Sequence, residues 1–249
     1  MTHFRVGQIV PSSNITMETE IPALLKAREM VSPERFTFHS SRMRMKHVTR
    51  EELAKMDADS DRCALELSDA KVDVMGYACL VAIMSMGHGY HCTSSERLHR
   101  VTQDNGAPAP VVTSAGALVE GIRALGAKKV AVVAPYMKPL TEMVVEYIRN
   151  EGIEVSAYRA LEIQDNLAVA AHDTANLPGI VAEMKTDDVD AVVLSACVQM
   201  PSLAAVAQVE ALTGKPVLTA AIATTWSMLR ALDLDTRVPG GGTLLSGAY

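Results

Sequence analysis

Two stretches of this chain end alike. Val74-Met75-Gly76-Tyr77-Ala78-Cys79 and Ala191-Val192-Val193-Leu194-Ser195-Ala196-Cys197 are apolar runs that each stop at Ala-Cys. Runs of this length read as buried strands, which puts each thiol at a strand's carboxyl end. A cysteine there can attack as a nucleophile once ionised, or pass a proton across a site. Free cysteine is also a common small core residue, so position has to decide. Each of these two precedes what the pattern reads as a helix start, where backbone N–H groups and the helix dipole favour a thiolate. The same N–H groups can bind a carboxylate or the charge that develops on one. The chemistry predicted is that of two facing thiols.

Other residues could join them. Asn14 follows the strand-end turn Pro11-Ser12-Ser13; its amide either caps the next helix or points into a cleft. Tyr136 follows Pro135 at the matching place later in the chain, either packed in a core or donating a hydrogen bond. Asn166, after Glu162-Ile163-Gln164-Asp165, is either a helix N-cap or a site residue. Thr113 and Thr219 end two similar strands and are weaker candidates. Cys63 sits within a helical pattern and reads as core. Cys92 belongs to His88-x-x-His91-Cys92 in a stretch read as a loop, Gly87 to Cys92. No further ligand stands at comparable spacing, so no metal site is expected.

The elements that position these residues repeat. Val6 to Pro11 and Val130 to Pro135 are strands closed by proline; the two Ala-Cys strands follow; then Pro110-Val111-Val112-Thr113 and Pro216-Val217-Leu218-Thr219. Three landmarks recurring in one order imply an internal duplication of a βαβ-type unit. Each half is expected to be a small parallel sheet with helices on both faces, with its site beyond the strands' carboxyl ends. Between the landmarks, Phe36 to Ser40 reads as a short strand, and Thr49 to Ala70 as one amphipathic helix with a capping-box-like start. Asn166 to Lys185 reads as mostly helical. The segment from Arg42 to Val48 carries Arg42, Arg44, Lys46 and His47. It reads either as a solvated loop or as a mobile cover that draws anions toward the site.

Composition sets bounds on the rest. The 249 residues are 49% hydrophobic but poor in aromatics, a mixture that suits α/β architecture. Net charge is −6 with no basic stripe, so nucleic acid is not an expected partner. No apolar run is long enough to span a bilayer, and no signal-peptide core stands at the N-terminus. Four cysteines without disulfide-like spacing point to free thiols in a reducing, cytoplasmic compartment.

Taken together, Pro11-Ser12-Ser13-Asn14, Gly76-Tyr77-Ala78-Cys79, Pro135-Tyr136, Asn166 and Ser195-Ala196-Cys197 resemble the maleate cis–trans isomerases of the aspartate/glutamate racemase superfamily. The two cysteine motifs alone are shared with racemases and arylmalonate decarboxylases; Asn14, Tyr136 and Asn166 sharpen the match. The resemblance implies two flavodoxin-like halves around one cleft, and a homodimer acting on maleate without a cofactor, in nicotinate or nicotine degradation. It also implies a C-terminal segment folded back on the first half, dividing the chain into 1–115 plus 222–249 and 116–221. Cys79 is then the nucleophile and Cys197 its proton partner. Asn14, Tyr136 and Asn166 hold the carboxylates, with the strand-end N–H groups of Leu80, Val81 and Val198. The rival readings are a two-thiol racemase, a decarboxylase-like enzyme, or a small-molecule binding module.

Overall fold

The computed structural model describes residues 2–249. The first sheet contains β1 (His3–Pro11), β2 (Arg35–Met43), β3 (Val74–Tyr77) and β4 (Val111–Thr113), in the order β2-β1-β3-β4. The second contains β5 (Lys129–Ala134), β6 (Glu154–Ala160), β7 (Ala191–Ser195) and β8 (Val217–Thr219), in the order β6-β5-β7-β8. Every pairing is parallel, and the two orders are the same. The expected pair of doubly wound α/β halves is present. β3 and β7 are buried along their whole length, with no in–out alternation, as in sheets covered by helices on both faces.

In each sheet the strand order reverses between the first and third strands. A crevice opens at such a reversal, beyond the carboxyl ends. Pro11 with Asn14, and Cys79, flank one crevice; Tyr136 and Cys197 flank the other. Duplication thus supplies the site with two similar corners.

Helix Ala220–Ala231 lies against β3, β4 and helix Met17–Arg28 of the first half. The tip of Met228 from this helix fills the space over Gly76, where a Cβ would meet Met228 Cε at 2.0 Å. The glycine of the Gly-Tyr-Ala-Cys motif therefore has a packing reason. The buried Arg28 guanidinium donates to the Asp235 and Arg237 carbonyls, tying the chain's end to the same half.

Several local expectations need correction. The stretch from Thr49 to Ala70 is two helices, Arg50–Ala58 and Ser60–Asp69. They part where Asp57 turns its carboxylate inward to accept from Tyr77 and Tyr90, while Ser60 Oγ donates to the Asp57 carbonyl. Thr49 caps the first helix through Glu52 N, but Glu52 does not close a capping box, since its carboxylate accepts from Lys46 N and His47 N. β2 is nine residues long and absorbs Arg42 and Met43 from the expected loop. Tyr90, His91 and Cys92 open helix Tyr90–Asp104 and are not a loop. Asn166 to Lys185 is broken into short turns of helix. Thr113 and Thr219 are N-caps, each accepting from the backbone three residues on, at 3.1 Å.

Candidate active site

The eight residues assigned catalytic or substrate-holding roles line one pocket: Asn14, Cys79, Leu80, Val81, Tyr136, Asn166, Cys197 and Val198. Pro11, Met45, Val48 and Gln199 complete its wall. Among the described residues, none that lines it is charged. A carboxylate bound here would be held by hydrogen-bond donors and not by an ion pair.

Cys79 stands two residues beyond β3, on a sharp corner. Its backbone is left-handed (φ 92°, ψ 69°), and helix Leu80–Ser85 begins at the next residue. A non-glycine residue held there costs about 1–3 kcal/mol, a strain that persists only where the surrounding structure enforces it. The corner aims the thiol into the pocket and lays the helix's first N–H groups alongside. Burial pushes the Cys79 thiol up to about 12, with small further increments from Cys197 and Asp57; the Ala82 N–H works against them.

Cys197 is held differently. No helix starts after it; the chain turns through Val198 to Ser202 before a short helical turn at Leu203–Ala205. Ser195 Oγ fixes this turn by donating to the Cys197 carbonyl at 2.8 Å. Gln199 N donates to Cys197 Sγ at 3.4 Å. Burial raises this thiol too, opposed by the Tyr136 hydroxyl and by the Gln199 and Met200 N–H groups. The helix dipole expected at both cysteines is therefore present only at Cys79, on a six-residue helix. Burial outweighs it, and both thiols sit above their ordinary value.

Tyr136 donates to the Ala196 carbonyl at 3.1 Å. Burial and the two neighbouring cysteines hold its phenol well above the usual range, so it stays protonated. Asn14 does both things the sequence left open. Its Oδ1 accepts from Thr16 N and Met17 N, each at 3.0 Å, starting the helix. Among the described residues its Nδ2 has no protein partner, and the residue lines the pocket. Arg42 holds this turn from behind, donating to the Ser12 and Asn14 carbonyls and pairing with Glu18. Asn166 is not an N-cap, a place Asp165 takes; its Nδ2 donates to Ser13 Oγ at 2.8 Å.

Four wall residues escaped sequence reasoning as site members. Met45 and Val48 point inward while Arg44, Lys46 and His47 are exposed, and the alternation of apolar and basic residues there was the available signal. Pro11 was read only as a strand end. Gln199 is a buried polar residue in an apolar run, and such a residue must find partners. The motif His88 to Cys92 lies elsewhere, with His91 bonded to the Tyr147 hydroxyl. Among the described residues, no three metal-ligating side chains converge.

The arylmalonate decarboxylase family model matches residues 6–245. A maleate isomerase of Pseudomonas putida is 73% identical over 99% of this chain and 98% of its own. The chain belongs to the maleate isomerase family. A solved P. putida family structure, a cysteine-to-alanine variant with maleate, superposes with a TM-score of 0.99 at 79% identity, covering 100% of this chain and 99% of that one. A cysteine-to-serine mutant of the Nocardia farcinica maleate isomerase, carrying a covalently bound succinylcysteine intermediate, gives 0.95 at 47% identity over 99% and 100%. Among the described residues of this family member, no helix is long and apolar enough to cross a membrane.

Proposed function

We propose that this protein isomerises maleate to fumarate, without a cofactor, through a covalent succinyl-cysteine. One observation carries the reading. Cys79 and Cys197 come from equivalent strand ends of two duplicated halves into one pocket with Asn14, Tyr136 and Asn166. The activity named for the relatives, and the succinylcysteine on the Nocardia protein, support it.

Rotation about a carbon–carbon double bond is prohibitively slow, so the bond must become single for a time. The two thiols enter the reaction sharing one proton; the reactive form is the less populated one, with that proton on Cys197 and Cys79 attacking as the thiolate. The Cys79 sulfur bonds one alkene carbon, and the π pair moves to the other carbon and toward its carboxylate. That carbon takes the proton from Cys197, which becomes the thiolate. The N–H groups of Leu80, Val81 and Val198 receive the charge that builds on the carboxylate. Asn14, Tyr136 and Asn166 keep the carboxylates in place as one end turns about the new single bond. Cys197 then takes a proton back, the double bond re-forms in the trans arrangement, and the Cys79 sulfur leaves with its electron pair.

The test is direct. Purified protein given maleate alone should produce fumarate, and a quenched Cys197→Ser variant should carry a succinyl-sized addition on Cys79. An amino acid losing optical rotation, with no adduct on Cys79, would replace this reading with a racemase. The reading extends to a division into 1–115 plus 222–249 and 116–221, which the packing of helix Ala220–Ala231 on β3 and β4 supports. It extends also to a cytoplasmic homodimer serving nicotinate or nicotine degradation; the resemblance supports this setting, and solution mass measurements test the dimer.

A further inference from the structure

We infer that Gln199 is the positioning residue that fixes the distance between the two carboxylate-holding asparagines, and so sets how well the site grips a diacid through the turn. The inference rests on the isomerase reading. The Gln199 side chain reaches from the second half into the first, and its amide is almost fully used. Its Oε1 accepts from Ile15 N at 2.9 Å. Its Nε2 donates to the Ser13 carbonyl at 2.9 Å and to the Asn166 carbonyl at 2.8 Å. The opposite amide orientation would set NH₂ against an N–H and oxygen against two carbonyls, so the assignment is unambiguous. Asn166 adds a bond of its own to Ser13 Oγ.

Each partner belongs to a segment that carries a pocket residue. Ser13 and Ile15 flank Asn14; the Asn166 carbonyl belongs to Asn166 itself; and Gln199 N contacts Cys197 Sγ. One buried side-chain amide thus locks the Asn14 turn and Asn166 into a single frame across the boundary between halves, and the backbone N–H of the same residue touches Cys197. With its polar atoms engaged by the protein, Gln199 has little left to offer a substrate, and its role is to position. Holding a rotating diacid needs such a frame. With no charged residue in the wall, grip depends on donor geometry, and hydrogen bonds weaken steeply with misalignment.

Gln199→Met keeps the volume but deprives one N–H and two carbonyls of partners; Gln199→Glu sets a carboxylate against those carbonyls. Wild-type turnover is measured first. If the wild type makes no fumarate, the isomerase reading fails, and the frame is then judged by hydrogen exchange alone. In Gln199→Met, the Ile15 amide should exchange at least about tenfold faster than in the wild type. With an active wild type, KM for maleate should rise at least about tenfold in Gln199→Met and further in Gln199→Glu, since small misplacements of site groups carry costs up to about 10²-fold. Alkylation of Cys79 by iodoacetamide should stay within about twofold of wild type, because Gln199 does not touch that corner; a general loss of structure would change it. KM within twofold of wild type in both variants, or unchanged exchange at Ile15, overturns the inference.

Discussion

Cys79 and Cys197 end equivalent strands of a duplicated unit, yet the chain leaves the two corners in different ways. At Cys79 the backbone is left-handed and a helix follows at once. At Cys197 the backbone is ordinary and a turn follows, with Tyr136 and the Gln199 and Met200 N–H groups bearing on the sulfur. The second corner is the better host for a negative charge; the first offers its sulfur less support. A thiolate with less support is the stronger nucleophile, and a thiol whose conjugate base is supported gives up its proton more readily. The divergence of the corners therefore matches a division of labour in the proposed reaction, with Cys79 attacking and Cys197 handling the proton.

The largest effects test that division. Cys79→Ser should abolish turnover and leave no adduct by mass spectrometry. Cys197→Ser should lower turnover by on the order of 10³-fold, the range for loss of a general acid–base, while the adduct on Cys79 still forms. If the adduct appeared on Cys197 instead, the corners would have to exchange roles.

Next comes Tyr136→Phe. The hydroxyl opposes the rise of the Cys197 pKa, so removing it should lift that pKa further. Because both thiols already lie above 9.0, kcat/KM should climb with pH from 7 toward 10 in the wild type. In Tyr136→Phe the climb should run to higher pH before levelling, and turnover at pH 8 should fall by roughly 10²-fold, as when one transition-state donor is lost. A pH–rate profile of each protein decides it.

The strain at the first corner has its own signature. Glycine tolerates a left-handed backbone and alanine does not, a difference of about 1–2 kcal/mol. At an ordinary position glycine is instead the less stable by about 0.5–1 kcal/mol. Cys79→Gly should therefore be more stable than Cys79→Ala, and Cys197→Gly less stable than Cys197→Ala, by chemical denaturation. The same sign at both corners would remove the conformational contrast.

Much of the arrangement could be read in the sequence because it depends on local pattern. The Ala-Cys strand ends are apolar runs with a stop, and the repeated order of landmarks fixed the two halves. What could not be read depends on distant partners or on backbone angles. The left-handed φ of Cys79 has no residue-type signal, since cysteine is not a usual occupant of that region. Gln199 acts through Ser13 and Ile15, more than 180 positions away. The break at Asp59 follows from the burial of Asp57 against Tyr77 and Tyr90. The turn after Cys197 did leave a local sign, because Pro201 discourages a helix just before it. Thr113 and Thr219 cap the helices that follow them, a local role that a threonine at a strand end already suggests.

The smallest effect concerns what anchors the segment after Cys197. Glu20, from the first half, accepts from Ser202 N and Leu203 N, each at 2.7 Å. Burial raises its carboxyl above the ordinary 4.5, more than those two bonds lower it. A carboxyl raised on folding binds its proton more tightly in the native state. Its contribution to stability is then full below the unfolded value, near 4.5, and is lost as pH rises through the folded one. Glu20→Gln keeps an acceptor oxygen for both N–H groups but cannot ionise. The stability of the wild type relative to Glu20→Gln should accordingly be most favourable near pH 4 and should decline toward neutral pH, as measured by paired denaturant titrations. A gap that widened in the wild type's favour toward neutral pH would mean that the two hydrogen bonds to the charged carboxylate outweigh its desolvation. In that case the second corner would be anchored by charge and not merely by shape.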